Sequence, residues 1–235
     1  MVKKKPFYKQ FLRLKTNVQN RSKLNSLKKK KWLTFQKYLN NSLKFFKRYK
    51  FKDQFRLFVN RFASRGNSFK KKYKNNLHER KLFILFYGTL KKNYLKKNIK
   101  VLLKTSKNNV IYNVIEFFES RLDTVLFRSG FCLSISEARK FILQKHVFVN
   151  KRLVKTSSYL LKPNDLIEIS TNIKSRNLVK KKLLTPKLWY TVSKHLLINY
   201  NTLQILFLYN NKYNLRPVFN HYLNLNSVVA NIKKW

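Results

Sequence analysis

Positive charge is the feature that most constrains what this chain can fold into. Its 235 residues carry 54 Lys and Arg against 8 Asp and Glu, a formal net charge of +46. Repulsion at that density opposes a compact state unless a polyanion neutralises it. Nucleic acid is the partner that such a charge favours, because lysine and arginine contacts to phosphates release condensed counterions. An anionic membrane surface is the alternative polyanion.

Composition disfavours several other classes of protein. With 44% hydrophobic residues, 15% aromatic residues, 3 Gly and 4 Pro, the chain is predicted to fold with long helices rather than stay wholly disordered. The longest apolar run, Leu82 to Tyr87, is far below the ~20 residues that span a bilayer, so we expect no membrane insertion. Cys132 is the single cysteine and the four histidines are scattered, so we expect no disulfide, no metal and no cofactor.

The charge is unevenly distributed. Residues 116–170 contain nine basic and six acidic residues, a net charge of only +3 in this segment. Nearly all of the excess therefore lies in the flanking segments. We expect residues 121–170 to fold as an ordinary module and the flanks to need a neutralising partner.

The flanking segments are divided by their patterns into three regions. Residues 1–62 form a basic N-terminal extension with amphipathic helices around Trp32–Tyr49 and Phe51–Phe62, and residues 63–120 form a helical region. In the latter, one helix is predicted from Leu77 to Leu95 and a short one from Val110. Residues 171–235 form a basic C-terminal extension, with a linker up to Pro186 and strand-like segments at 195–210 and 222–232.

The module itself begins with two predicted helices. Leu122, Val125 and Leu126 form an apolar face, and Gly130 follows as a stop. Ser134 and Glu137 then match a capping box at the start of the second helix. Arg139, Lys140 and Lys145 are predicted to point outward, and the backbone amides at this helix start could hold a phosphate.

Three predicted strands complete the module: residues 146–149, residues 152–154 after a tight turn at Asn150-Lys151, and residues 166–169 after a turn at 163–165. The predicted fold class is α+β, with a helical N-terminal region followed by a small RNA-binding module. In that module two helices pack on a short sheet, and basic extensions flank it.

The residues of the module resemble a known family. The pattern "RLDTVLFRSGF", "SEAR", "VFVN" and "PNDLIEI" within Arg121–Ile169 is similar to the RNA-binding module of the ribosomal protein S-four family of the small subunit, in its mitochondrial type. The helix before the module, with Tyr87-Gly88 and Leu90, resembles the same family more moderately. Similar modules occur on pseudouridine synthases, a heat-shock RNA chaperone and some tyrosyl-tRNA synthetases.

The resemblance implies which residues face rRNA. They carry the side-chain chemistry that the family pattern requires, and they are Arg121, Arg128, Ser134, Arg139, Lys145 and Arg152. The outward position of Lys140 and the phosphate contact available to Lys151 add these two to the predicted RNA-binding set. This chain departs from the pattern at Cys132, at Ile135 and at Lys151, which replaces a turn glycine.

The resemblance further implies a structural constituent of the small ribosomal subunit that organises rRNA at a helix junction. The expected partners are small-subunit rRNA, neighbouring small-subunit proteins, and mRNA where it enters the subunit. We expect no enzyme, because the only acids outside the module region are Asp53 and Glu79 and neither has an active-site context. A free-standing RNA chaperone or regulator is the alternative. Lysine, at 41 residues against 13 arginines, indicates an AT-rich coding sequence, which favours a mitochondrial ribosome over a plastid or bacterial one.

Overall fold

A computed structural model describes residues 7–18, 26–48, 69–105, 110–184, 193, 195–208 and 223–233. The described residues fall into two compact units. The first takes its residues from 1–86 and 219–231, and the second from 87–186 and 190–218. The predicted segment boundaries at 62, 120 and 170 stay a prediction.

The first unit is helical. Its elements are α1 (Phe7–Leu14), α2 (Lys30–Arg48), α3 (Phe69–Phe86) and most of α9 (Leu225–Lys233). The amphipathic helix predicted from Trp32 is confirmed as α2, where Trp32 and Phe35 are buried and pack edge to face at 6.2 Å between ring centroids. The helix predicted at Phe51–Phe62 lies outside the described residues.

Two predictions in the basic extensions are wrong. The segment at 222–232 is not a strand but contains α9: Leu225, Val228 and Val229 recur at helical spacing and are buried, and the Asn224 side chain caps the start by accepting from the Ser227 N–H at 3.1 Å. The segment predicted as a linker contains α8 (Ile173–Leu183), and the Asn172 side chain caps its start by accepting from the Lys174 N–H at 3.1 Å. Val179 anchors it as a fully buried residue.

The second unit holds the module. Its helices are α4 (Lys92–Thr105), α5 (Val110–Glu119), α6 (Leu122–Arg128), α7 (Ile135–Leu143) and α8. The single helix predicted from Leu77 to Leu95 is interrupted, because Gly88 and Thr89 adopt positive φ angles of 74° and 55° between α3 and α4. The predicted stop at Gly130 is confirmed, with φ at 84°.

A five-stranded antiparallel sheet lies beside α6 and α7. Its strands are β1 (Val147–Val149), β2 (Arg152–Leu153), β3 (Leu166–Ile169), β4 (Leu196–Asn199) and β5 (Gln204–Phe207), in the order β2-β1-β3-β5-β4. The sequence predicted the first three strands, and the strand-like segment at 195–210 supplies the other two. Apolar residues of α6, α7 and the strands share one core, which confirms the α+β class.

Candidate nucleic-acid interface

Arg121 lies inside the module rather than on its rim. Only 3% of the residue is exposed. Its guanidinium donates twice to the Asp123 carboxylate, at 3.0 and 2.9 Å, and once to the Tyr94 hydroxyl at 2.6 Å. Burial alone would lower the pKa of Arg121, but the hydrogen bonds and charge of Asp123 outweigh it and raise the pKa. The residue therefore joins α4 to the start of α6.

Arg139 approaches the same carboxylate from α7. Its Nε donates to Asp123 at 2.7 Å, and its two terminal nitrogens donate to the backbone oxygens of Tyr87 and Gly88. Asp123 is fully buried and thus bridges two arginines. The pair of arginines ties the turn after residue 86 to both helices of the module. A quarter of the Arg139 side chain, 23%, stays exposed.

Arg128 forms a second buried ion pair. Its guanidinium donates to both carboxylate oxygens of Glu119, at 3.2 and 3.0 Å. Burial would raise the pKa of Glu119, but the charge and hydrogen bonds of Arg128 prevail and lower it. His195 lies near this pair, and burial lowers its pKa.

Arg121 and Arg128, which the resemblance implies to face rRNA, are therefore directed toward internal carboxylates in the structure. Only 4% of the Arg121 side chain and 9% of the Arg128 side chain are exposed, and each guanidinium donates two hydrogen bonds to an internal carboxylate. Contact with rRNA stays a prediction for these two residues, and their burial disfavours it. Sequence spacing could place them on helix faces but could not show which acid each would meet.

Ser134 caps α7 as predicted, but the reciprocal half of the capping box differs. The Ser134 Oγ accepts from the Glu137 N–H at 3.2 Å. Glu137 returns not to the Ser134 amide but to the N–H of Leu133, at 2.8 Å. The serine hydroxyl is thus engaged in holding the helix start.

Lys140, Lys145, Lys151 and Arg152 are exposed. Lys145 ends α7 in the left-handed conformation, with φ at 63°, and its N–H donates to Ile142 O at 2.9 Å. Lys151 has the same φ and follows Asn150 at 50°, so this β-hairpin turn has two residues with positive φ. Two of the four exposed cations therefore occupy positions where glycine would be less strained.

Most acidic side chains of the module form hydrogen bonds or ion pairs inside the second unit. Two of them hold Arg121, Arg139 and Arg128, as described above. The remaining acids with hydrogen bonds or ion pairs inside the unit are Glu137, Asp165 and Glu168. Internal contacts thus involve five of the six acids in residues 116–170.

A predominantly cationic surface results from this pairing. When the three internally paired arginines are set aside, the six other cations of residues 116–170 are all exposed: Lys140, Lys145, Lys151, Arg152, Lys155 and Lys162. A segment with a net charge of only +3 thus presents a cationic exterior. Sequence reasoning missed Lys155 and Lys162, and their only sequence signal was a basic residue in a predicted loop.

Neither a metal centre nor a membrane span is found in the described parts of the chain. No group of three His, Cys, Asp or Glu among those residues could hold a metal ion. No helix there is long and apolar enough to cross a membrane. Cys132 is buried and forms no disulfide.

Comparison with known proteins places the module in a family. Residues 120–167 match the S4 domain. The chain is 34% identical over 131 residues to the small ribosomal subunit protein uS4c of Mesostigma viride, 40% over 117 residues to uS4m of Dictyostelium citrinum, and 34% over 111 residues to uS4 of Buchnera aphidicola. In the same order, the three matches span 56%, 49% and 47% of this chain. They span 62%, 34% and 53% of the relatives' own lengths, so the chain covers less than two thirds of each relative. The resemblance stated from the module's residues is confirmed.

Proposed function

We propose that this chain, a homologue of the uS4 ribosomal proteins that carries their S4 domain, is a structural constituent of a small ribosomal subunit. It would bind small-subunit rRNA and hold helices together where they meet at a junction. The observation that carries this proposal is the separation of charge in the module. Two carboxylates pair with three arginines inside it, and the five lysines and Arg152 that remain are exposed.

Such a separation suits a folded RNA as partner. Two ion pairs at Asp123 join α7 to the start of α6, so α7, which carries Lys140, is held in place without RNA. Lys140, Lys145, Lys151 and Arg152 can then contact phosphates and the shallow minor groove of A-form helices. Lys155 and Lys162 join this proposed set because they share its exposure.

The homologues support a proposal for the partners and the compartment. Their names identify small-subunit proteins, so neighbouring small-subunit proteins are proposed as further partners, together with mRNA where it enters the subunit. The homologues include mitochondrial and chloroplast forms, so an organelle ribosome is the coarser proposal. The lysine-rich, AT-biased composition favours the mitochondrion. A structural role without catalysis is proposed on the same basis.

Sedimentation of an organelle lysate at high magnesium tests the role. A ribosomal protein co-sediments with the small subunit in a one-to-one ratio, whereas a free-standing chaperone stays soluble or is substoichiometric. Absence from the small-subunit peak would overturn the proposal.

Binding of the full chain to a small-subunit rRNA transcript tests the site. The module variant K140Q/K145Q/K151Q/R152Q removes four exposed cations. Its log–log salt dependence should become shallower by about 3, at roughly 0.7 to 0.9 per phosphate contact. The matched control K91Q/K97Q/K100Q/K104Q removes as many exposed lysines from α4 and the residue before it. Equal losses in both variants would indicate non-specific attraction and contradict the site.

A further inference from the structure

We propose that α8 is a second RNA-binding surface of this chain, outside the S4 domain. The inference rests on the proposed function, because it assumes an rRNA partner. It concerns residues 173–183, which lie beyond the matched range of 120–167. Its basis is a helix held rigidly by one face while the other face presents lysines.

The inward face of α8 is anchored by polar and apolar contacts. Val179 is fully buried and Ser175 is 1% exposed. The Ser175 hydroxyl accepts from Ser170 at 2.9 Å and lies 3.2 Å from the His146 Nδ1. These contacts fix the N-terminal half of the helix at the point where the chain leaves α7.

Lys182 fixes the other end of α8. Its Nζ forms an ion pair with Glu137 at 3.0 Å and lies 5.1 Å from the centre of the Phe141 ring. Since Ser175 meets His146, just after α7, and Lys182 meets Glu137, in the first turn of α7, the two helices run antiparallel and side by side. Lys182 thus docks the helix, and its charge is paired with Glu137 and is not counted among the charges available to RNA.

The outward face carries the remaining lysines. Lys174, Lys180 and Lys181 are exposed and lie away from the buried stripe of Ser175, Val179 and Lys182. Lys174 and Lys181 are seven residues apart, about 10 Å along the helix, and α8 contains no acid. Lys182 docks α8 on α7, and in this proposal the three exposed lysines add to the cationic surface of Lys140 and Lys145 past the end of the S4 domain.

RNA is the partner that this face fits. Exposed Ile173 and Leu178 would also suit a protein. A protein that covered this face would need carboxylates of its own opposite the three lysines, because without them the lysines would repel one another in the interface. A phosphate backbone supplies negative charge at regular spacing along its whole length, and it needs no special sequence to do so. The surface therefore favours rRNA.

The test compares three full-length variants on the same small-subunit rRNA transcript: the α8 variant K174Q/K180Q/K181Q, the module variant defined above, and the control K97Q/K100Q/K104Q on α4. Lys182 is unchanged in all three, so α8 stays docked. The α8 variant should bind about 100-fold more weakly at 0.15 M salt, with a salt slope shallower by about 2 to 3. Lysine acetylation read by mass spectrometry should show Lys174, Lys180 and Lys181 protected when the transcript is bound.

The outcomes separate this inference from the proposed function. If the wild-type chain does not bind the transcript, the proposed function fails. If the module variant loses affinity while the α8 variant matches the α4 control and its lysines remain reactive, the α8 surface is refuted and the proposed function stands. If L178D prevents incorporation into subunits while K174Q/K180Q/K181Q does not weaken transcript binding, the face binds a protein and our inference is overturned.

Discussion

Loss of the Asp123 charge is predicted to destabilise the module more than loss of any other single charge in it. Its carboxylate is fully buried and accepts three hydrogen bonds from Arg121 and Arg139. The variant D123N keeps the shape of the side chain but places an NH₂ donor against guanidinium donors and leaves two partly buried positive charges without their counterion. Removing one partner from a buried ion pair costs about 3 to 5 kcal/mol.

Amide hydrogen exchange of α6 and α7 in the full chain measures this cost where it arises. Each 1.4 kcal/mol corresponds to about a tenfold change in an equilibrium constant, so exchange through opening of the module should accelerate by between about two and four orders of magnitude. E116Q is the matched control, because it removes one carboxylate charge from a partly exposed position in the neighbouring α5. If D123N changes exchange in α6 and α7 no more than E116Q does, the buried pairs do not hold the module together and the reasoning fails.

Three further variants test other parts of the structure. G88A should destabilise the second unit by about 2 to 4 kcal/mol, because φ is 74° and a Cβ would lie 2.5 Å from Ile135 Cγ2; unaltered exchange in α7 would contradict this. K151G should stabilise the hairpin by about 1 kcal/mol by relieving the positive φ, yet it should weaken binding to the rRNA transcript. If K151G increases both the stability and the affinity for the transcript, Lys151 is not part of the RNA interface. Burial raises the pKa of Glu79 from 4.5 to about 7, so the folded chain holds this proton more tightly than the unfolded chain. Stability should fall as pH rises from 4.5 to 7, by up to about 3 kcal/mol, and E79Q should abolish that part of the pH dependence in thermal unfolding.

The module was predictable because its local patterns and its tertiary contacts agree. Apolar spacing at Leu122, Val125 and Leu126, the stop at Gly130 and the cap at Ser134 each specify a boundary by local chemistry, and the structure has each of them. Prediction failed where a short apolar run fits either periodicity. The run at Leu225–Val229 reads as a strand until Asn224 is seen to cap a helix.

The interface was harder to predict than the fold, because charge can be counted in a sequence but its pairing cannot. Arg121, Arg128 and Arg139 match the family pattern as well as Lys145 does, yet the three arginines meet carboxylates that lie between 2 and 16 positions away along the chain. Arginine suits these buried pairs because its planar fork binds a carboxylate through two parallel hydrogen bonds, whereas lysine is a compact and strongly hydrated charge. In this module the arginines therefore organise the interior, and five of the six exposed cations are lysines.

The same division recurs in α8, where the one lysine that faces inward is paired with Glu137 and the others stay in solvent. The net charge of +3 over residues 116–170 is thus the sum of an interior in which arginines are paired with carboxylates and a cationic exterior, and that exterior is what a polyanion would meet.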